Sequence, residues 1–72
     1  MIVDNNPTLN EDDLSITVQN NIDTSEETAL IINGLISLID EDFSISDNII
    51  TLNDYDVDFV NDTIWVMYTP LQ

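Results

Sequence analysis

Asp54, Asp56 and Asp58 alternate with Tyr55, Val57 and Phe59 in the last third of the chain. On an extended strand alternate residues project the same way, about 6.7 Å apart for a rise of roughly 3.3–3.4 Å per residue. A row of carboxylates at this pitch can stand in for phosphates, which follow one another at roughly 3.4 Å of axial rise per nucleic-acid strand and at wider intervals along the winding backbone. The chemistry on offer is recognition. Lysines and arginines lining a nucleic-acid groove would meet these carboxylates where phosphates belong. Two acidic runs add to the same charge, Glu11-Asp12-Asp13 and Asp40-Glu41-Asp42. Asp54-Tyr55-Asp56-Val57-Asp58 also opens like a calcium-binding EF-hand loop, but the sixth position, where the loop needs glycine, is Phe59, and the twelfth, where it needs glutamate, is Trp65. The flanks read as strands rather than helices, so a specific calcium site is a minor alternative.

The charge balance sharpens the acidic reading. The 72 residues carry fifteen Asp and Glu and no Lys, Arg or His, a formal net charge of −15. No side-chain ion pair can form within such a chain, and its like charges repel one another in the compact state. Folded proteins usually intersperse both signs on their surfaces. A sequence that forgoes this loses stability, and a polyanionic surface is the return that fits. The missing residue types also exclude function classes. Without Cys, His or Lys there is no disulfide, no thiolate or Schiff-base nucleophile and no ordinary zinc site. Paired carboxylates alone could do acid–base work only in a cleft that keeps one of them protonated. A domain this small offers little cleft, so the chain is expected not to be an enzyme and to need no cofactor and no metal.

The chain is nevertheless built to fold. Hydrophobic residues make up 43%, with eleven isoleucines in patterned runs, unlike a disordered acidic tail. No stretch approaches the roughly 18 apolar residues of a membrane span. Met1-Ile2-Val3-Asp4 has no basic region and no apolar run, so no signal peptide is expected. Together these point to a cytoplasmic protein that avoids anionic membranes.

The elements that must position the acids follow from periodicity. Residues 1–12 read as an irregular lead-in, with turn chemistry at Asn5-Asn6-Pro7, ahead of a single domain over 13–72. Leu14-Ser15-Ile16-Thr17-Val18-Gln19 alternates as a half-buried strand does. Thr24 with Glu27 three residues on forms a capping box. Ala29, Ile32, Leu35, Ile36 and Ile39 then recur at helical spacing, which predicts a helix from Thr24 to about Asp42. Gly34 would sit inside that helix, where close packing against a sheet would explain it. Phe43–Ser46 reads as a short extended piece, Asp47-Asn48 as a turn and Ile49–Leu52 as a strand. Tyr55–Val60 and Thr63–Thr69 read as a hairpin turning at Asn61-Asp62. Its register puts Tyr55, Val57, Phe59, Ile64, Val66 and Tyr68 on a core face, and Asp54, Asp56 and Asp58 beside Trp65 and Met67 on the other. The expected fold is α+β: one helix packed on an antiparallel sheet of about four strands, in the order β-α-β-β-β. Trp65 and Met67, types enriched at interface centres, become candidate anchors on the acidic face.

In length, charge and lack of basic residues the chain resembles the phage-encoded DNA-mimic inhibitors: anti-CRISPR proteins, anti-restriction proteins and inhibitors of uracil-DNA glycosylase. The resemblance is one of composition and carries over no residue roles. It implies stoichiometric inhibition, in the cytoplasm of an infected host, of a CRISPR effector, restriction enzyme or DNA-repair enzyme, with an anti-CRISPR protein as the first expectation. The expected partner surface is Asp54, Asp56, Asp58, Trp65, Met67, Asp40, Glu41 and Asp42. The protein would bind no nucleic acid itself and would act as a monomer or homodimer. The alternatives are an adaptor that docks on a basic protein without imitating nucleic acid, and the small calcium-binding domain.

Overall fold

A computed structural model describes residues 1–38, 43–52 and 57–72, and the architecture is all β. Among the described residues eight short strands run in chain order: β1 (Ile2–Asp4), β2 (Thr8–Asn10), β3 (Ser15–Thr17), β4 (Ala29–Ile32), β5 (Leu35–Leu38), β6 (Phe43–Ser46), β7 (Ile49–Leu52) and β8 (Ile64–Tyr68). They form two antiparallel sheets of four, ordered β1-β8-β4-β5 and β2-β3-β7-β6. Three hairpins, β2–β3, β4–β5 and β6–β7, alternate between the sheets, and β8 closes the first sheet between β1 and β4.

The expected helix over 24–42 is therefore wrong. Its centre is the β4–β5 hairpin, with Ile31 opposite Ile36 and Ile32 opposite Leu35. Asn33 and Gly34 form the two-residue turn with φ of 52° and 86°. Two positive φ angles in succession suit Asn-Gly, and the twist of such a turn matches that of the strands it joins. A Cβ on Gly34 would meet no atom within 4 Å, so close packing is not its role; the backbone conformation is. The capping box is also absent. Asp23, not Thr24, organises that segment, its Oδ1 accepting from the Ser25 backbone N–H at 3.0 Å and the Ser25 hydroxyl at 2.6 Å.

The expected hairpin over 55–69 fails for a different reason. Both edges of β8 are taken: Val3 lies opposite Met67 on one side, Leu30 opposite Val66 on the other. Of the strand expected at 55–60, Tyr55 and Asp56 lie outside the described residues, and 57–60 are coil and turn. The Asp62 N–H donates to the Asp58 carbonyl at 2.9 Å, closing a wide turn rather than a two-residue hairpin. The lead-in over 1–12 is not irregular either. It supplies β1 and β2, each held by a partner strand. The pieces expected at Phe43–Ser46 and Ile49–Leu52 do form strands, joined at Asp47-Asn48, and Asp47 has φ of 56°.

One core joins the sheets. Ile16, Ile50 and Leu52 from the second sheet, with Val18 just beyond β3, pack in a single cluster with Leu30, Ile64, Val66 and Tyr68 from the first. The crossover between sheets, residues 18–28, is fastened at several points. Ile22 N–H donates to the Asp47 carbonyl and Asp23 N–H to the Thr69 carbonyl, each at 2.8 Å. The buried Tyr68 hydroxyl accepts from the Asn20 backbone at 3.2 Å and from its side-chain amide at 3.1 Å. The Cα radius of gyration, 10.9 Å, matches the roughly 11 Å that a compact chain of this length adopts.

Candidate functional site

Strand interiors carry almost no charge here. Of the ten acids among the described residues, only Asp4 lies on a strand, at its end; the other nine sit in turns and connections. Inward positions of a short strand are needed for the core, and both sheets spend their outward positions on neutral residues. The carboxylates are thereby pushed to the loops: Glu11, Asp12 and Asp13 between β2 and β3, Asp23, Glu26 and Glu27 in the crossover, Asp47 in the β6–β7 turn, Asp58 and Asp62 before β8.

These carboxylates fall into two kinds. Some hold the backbone. Asp58 Oδ1 accepts from the N–H groups of Val60 at 2.9 Å and Asn61 at 3.1 Å, and its Oδ2 from the Asn61 amide at 2.7 Å. Asp62 Oδ1 accepts from the Asn33 side chain at 3.0 Å and its Oδ2 from the Asp58 N–H at 3.1 Å. Asp4 accepts from the N–H of Asn6 at 2.9 Å and of Gln19 at 3.2 Å. Hydrogen bonds from Ser25 hold the Asp23 carboxyl below its ordinary value, and those from the Asn61 amide and the Val60 and Asn61 backbone do the same for Asp58. Both stay ionised into mild acid. No hydrogen bond among the described residues ties down the carboxylates of Glu11, Asp12, Glu26, Glu27 or Asp47, which leaves them free to meet a partner's cations.

The surface residues expected from sequence are placed as follows. Asp40, Glu41, Asp42, Asp54 and Asp56 lie outside the described residues. Asp58 is exposed, but in a turn and not on a strand, with its carboxylate folded back on its own loop. Trp65 and Met67 stand on β8 opposite Ile31 and Ala29. They face away from the core, as expected, whereas Ile64, Val66 and Tyr68 face into it. Their described cross-strand neighbours are apolar, so the tryptophan is not ringed by carboxylates on that side. No group of three carboxylates converges as metal ligands among the described residues.

Glu26 and Glu27 gain a role that sequence reasoning missed by assigning them to a helix start. They line a cleft of about 390 Å³ together with Thr24 and Thr28, facing Phe43, Ser44 and Ile45 of β6. Two exposed carboxylates beside an aromatic and aliphatic wall suit a cationic side chain, whose stem can pack on the apolar groups and whose head can meet the acids. No local signal in the sequence marks this pairing, because β6 and the crossover are brought together only by the fold. No helix among the described residues is long and apolar enough to cross a membrane. In comparisons with family models, curated proteins and solved structures, nothing matches this chain.

Proposed function

We propose that this protein is a non-enzymatic inhibitor that imitates nucleic acid at the basic groove of a DNA-binding defence complex in the host cytoplasm. The observation that carries this reading is the charge: fifteen acids and no base in a chain that nonetheless builds a packed core. Among the described residues the carboxylates are borne chiefly by loops. Glu11 and Asp12 on one connection and Glu26 and Glu27 on another, which accept no hydrogen bond from the described residues, are the described groups best placed to replace phosphates. A lysine or arginine engaged by one of these carboxylates cannot at the same time neutralise a phosphate, so the protein competes with DNA for the same cations.

The test is displacement of a labelled duplex from a purified CRISPR effector, a restriction endonuclease and a uracil-DNA glycosylase, followed by fluorescence anisotropy. Stoichiometric displacement from at least one, lost in a Glu26→Lys/Glu27→Lys variant that keeps its melting temperature, is the expected result. A complex that forms with one of these proteins while the duplex stays bound favours the second reading, an adaptor that docks on a basic protein surface.

A further inference from the structure

The two sheets are written by different rules. In the second, Leu9, Ile16, Ile45 and Ile50 face the core while their neighbours along the strands, Thr8, Asn10, Ser15, Thr17, Ser44 and Thr51, face outward. That is the alternation of a sheet with one wet face. In the first sheet β4 reads Ala-Leu-Ile-Ile and β8 reads Ile-Trp-Val-Met-Tyr. Near-continuous apolar runs belong to strands covered on both faces. The inner face is covered by the second sheet. The outer face exposes Val3, Met67, Trp65, Ile31 and Ile36, joined along β8 by the register pairs Val3–Met67 and Trp65–Ile31–Ile36, while Ala29 beside Met67 is buried. Val3 is 47% exposed, Ile36 63% and Trp65 39%. Contiguous exposed apolar surface of this kind marks an interaction site.

We propose that this face is the contact of a two-fold homodimer, outer sheet face against outer sheet face. Charge selects the occupant. A basic groove laid on these five residues would bury its cations with no described carboxylate opposite, at a high desolvation cost. A second copy brings the same apolar groups, and a patch without described charge is complementary to itself under a two-fold axis. Nine of the ten described acids lie in the connections, and the tenth, Asp4, stands opposite the core-facing Val66 and not on this face, so no described carboxylates oppose one another at its centre. The molecule's two longest extents, 32 and 22 Å, cap a flat contact somewhat below the ~800 Å² per partner of a standard interface. The dimer is therefore modest in strength and opposed by the repulsion of two chains of −15 each. It does not depend on the identity of the target proposed above.

This fixes an unusual signature. Target binding through carboxylates weakens with salt, whereas dimerisation strengthens, because the screening length falls from about 30 Å at 0.01 M to about 3 Å at 1 M. Sedimentation equilibrium of the purified protein across that salt range should show the mass rise from 8.2 kDa towards twice that value. Acrylamide quenching of Trp65, the single tryptophan, should fall in parallel. A Trp65→Thr/Ile36→Thr variant should stay monomeric at high salt, while Leu35→Thr, on the other side of edge strand β5, should dimerise like the parent. A monomer at every salt concentration with unchanged quenching overturns the proposal. So does a dimer abolished by Leu35→Thr but not by the double variant, which would mean edge-to-edge pairing through β5.

Discussion

Gly34→Ala should destabilise the protein, and the sign of the effect is the informative part. Gly34 has φ of 86°, and nothing lies within 4 Å of where a Cβ would stand. The substitution thus adds no clash and removes no packing. What remains is the backbone conformation, which costs an L-residue about 1–2 kcal/mol in the left-handed region. A domain of this size shifts its midpoint by roughly 4–8 °C per kcal/mol. Thermal unfolding followed by circular dichroism should therefore show a fall of about 5–15 °C. In a helix interior the same change would be stabilising by about 1 kcal/mol, and the midpoint would rise. The Asn33 latch, whose side-chain oxygen accepts from the Thr63 N–H at 2.9 Å, is left intact by the substitution, so the measurement isolates the turn. A higher midpoint for Gly34→Ala would refute the hairpin at Asn33-Gly34.

Three further outcomes follow from single groups. Thr28 is buried, and its hydroxyl has no hydrogen-bond partner among the described residues. Thr28→Val keeps the shape, removes the unpaired group and should stabilise by about 1 kcal/mol in chemical denaturation; a loss of that size would show that the hydroxyl is satisfied. Tyr68→Phe removes the acceptor for both Asn20 donors and should cost about 1–2 kcal/mol, with faster hydrogen exchange at Asn20; an unchanged exchange rate would mean the crossover is held without it. Asp58 has its folded pKa lowered from 3.8 by Asn61 and Val60. Its hydrogen bonds therefore contribute stability that is complete above that value and is lost as pH falls through the lower folded value. Carboxyl titration by NMR should place the Asp58 midpoint below 3.8, and a midpoint at or above it contradicts the turn.

The sequence makes some elements legible and hides others, for physical reasons. Ile16 and Val18 are visible as core because polar neighbours separate them, and the turn at Asp47-Asn48 announces itself between two short runs. Ile64, Val66 and Tyr68 are assigned to the correct face although the expected hairpin does not form, because any strand through 64–68 sets them on one side and Trp65 and Met67 on the other. The segment 29–38 is misread because a strand that is apolar on both sides fits a helical period as well as any other. The Asn-Gly pair between two apolar runs is the signal that decides against a helix. Partners of β8 are invisible locally: Ile2–Asp4 pairs with it from the far end of the chain, and no rule of neighbouring residues selects that pairing over Tyr55–Val60. The acidic surface is legible in amount but not in placement, since loops rather than strands bear the described carboxylates. The cleft between Glu26, Glu27 and Phe43 depends on the same non-local assembly.

The most direct measurement of the central claim immobilises the intact protein, loads a lysate of bacterial cells, washes at constant salt and elutes with duplex DNA. If the carboxylates occupy a nucleic-acid groove, duplex releases a retained DNA-binding protein at salt that alone leaves it bound, and the Glu11→Lys/Asp12→Lys/Glu26→Lys/Glu27→Lys variant retains none of it. Proteins that stay on the column in excess duplex, or that bind the charge-reversed variant equally well, would contradict the account.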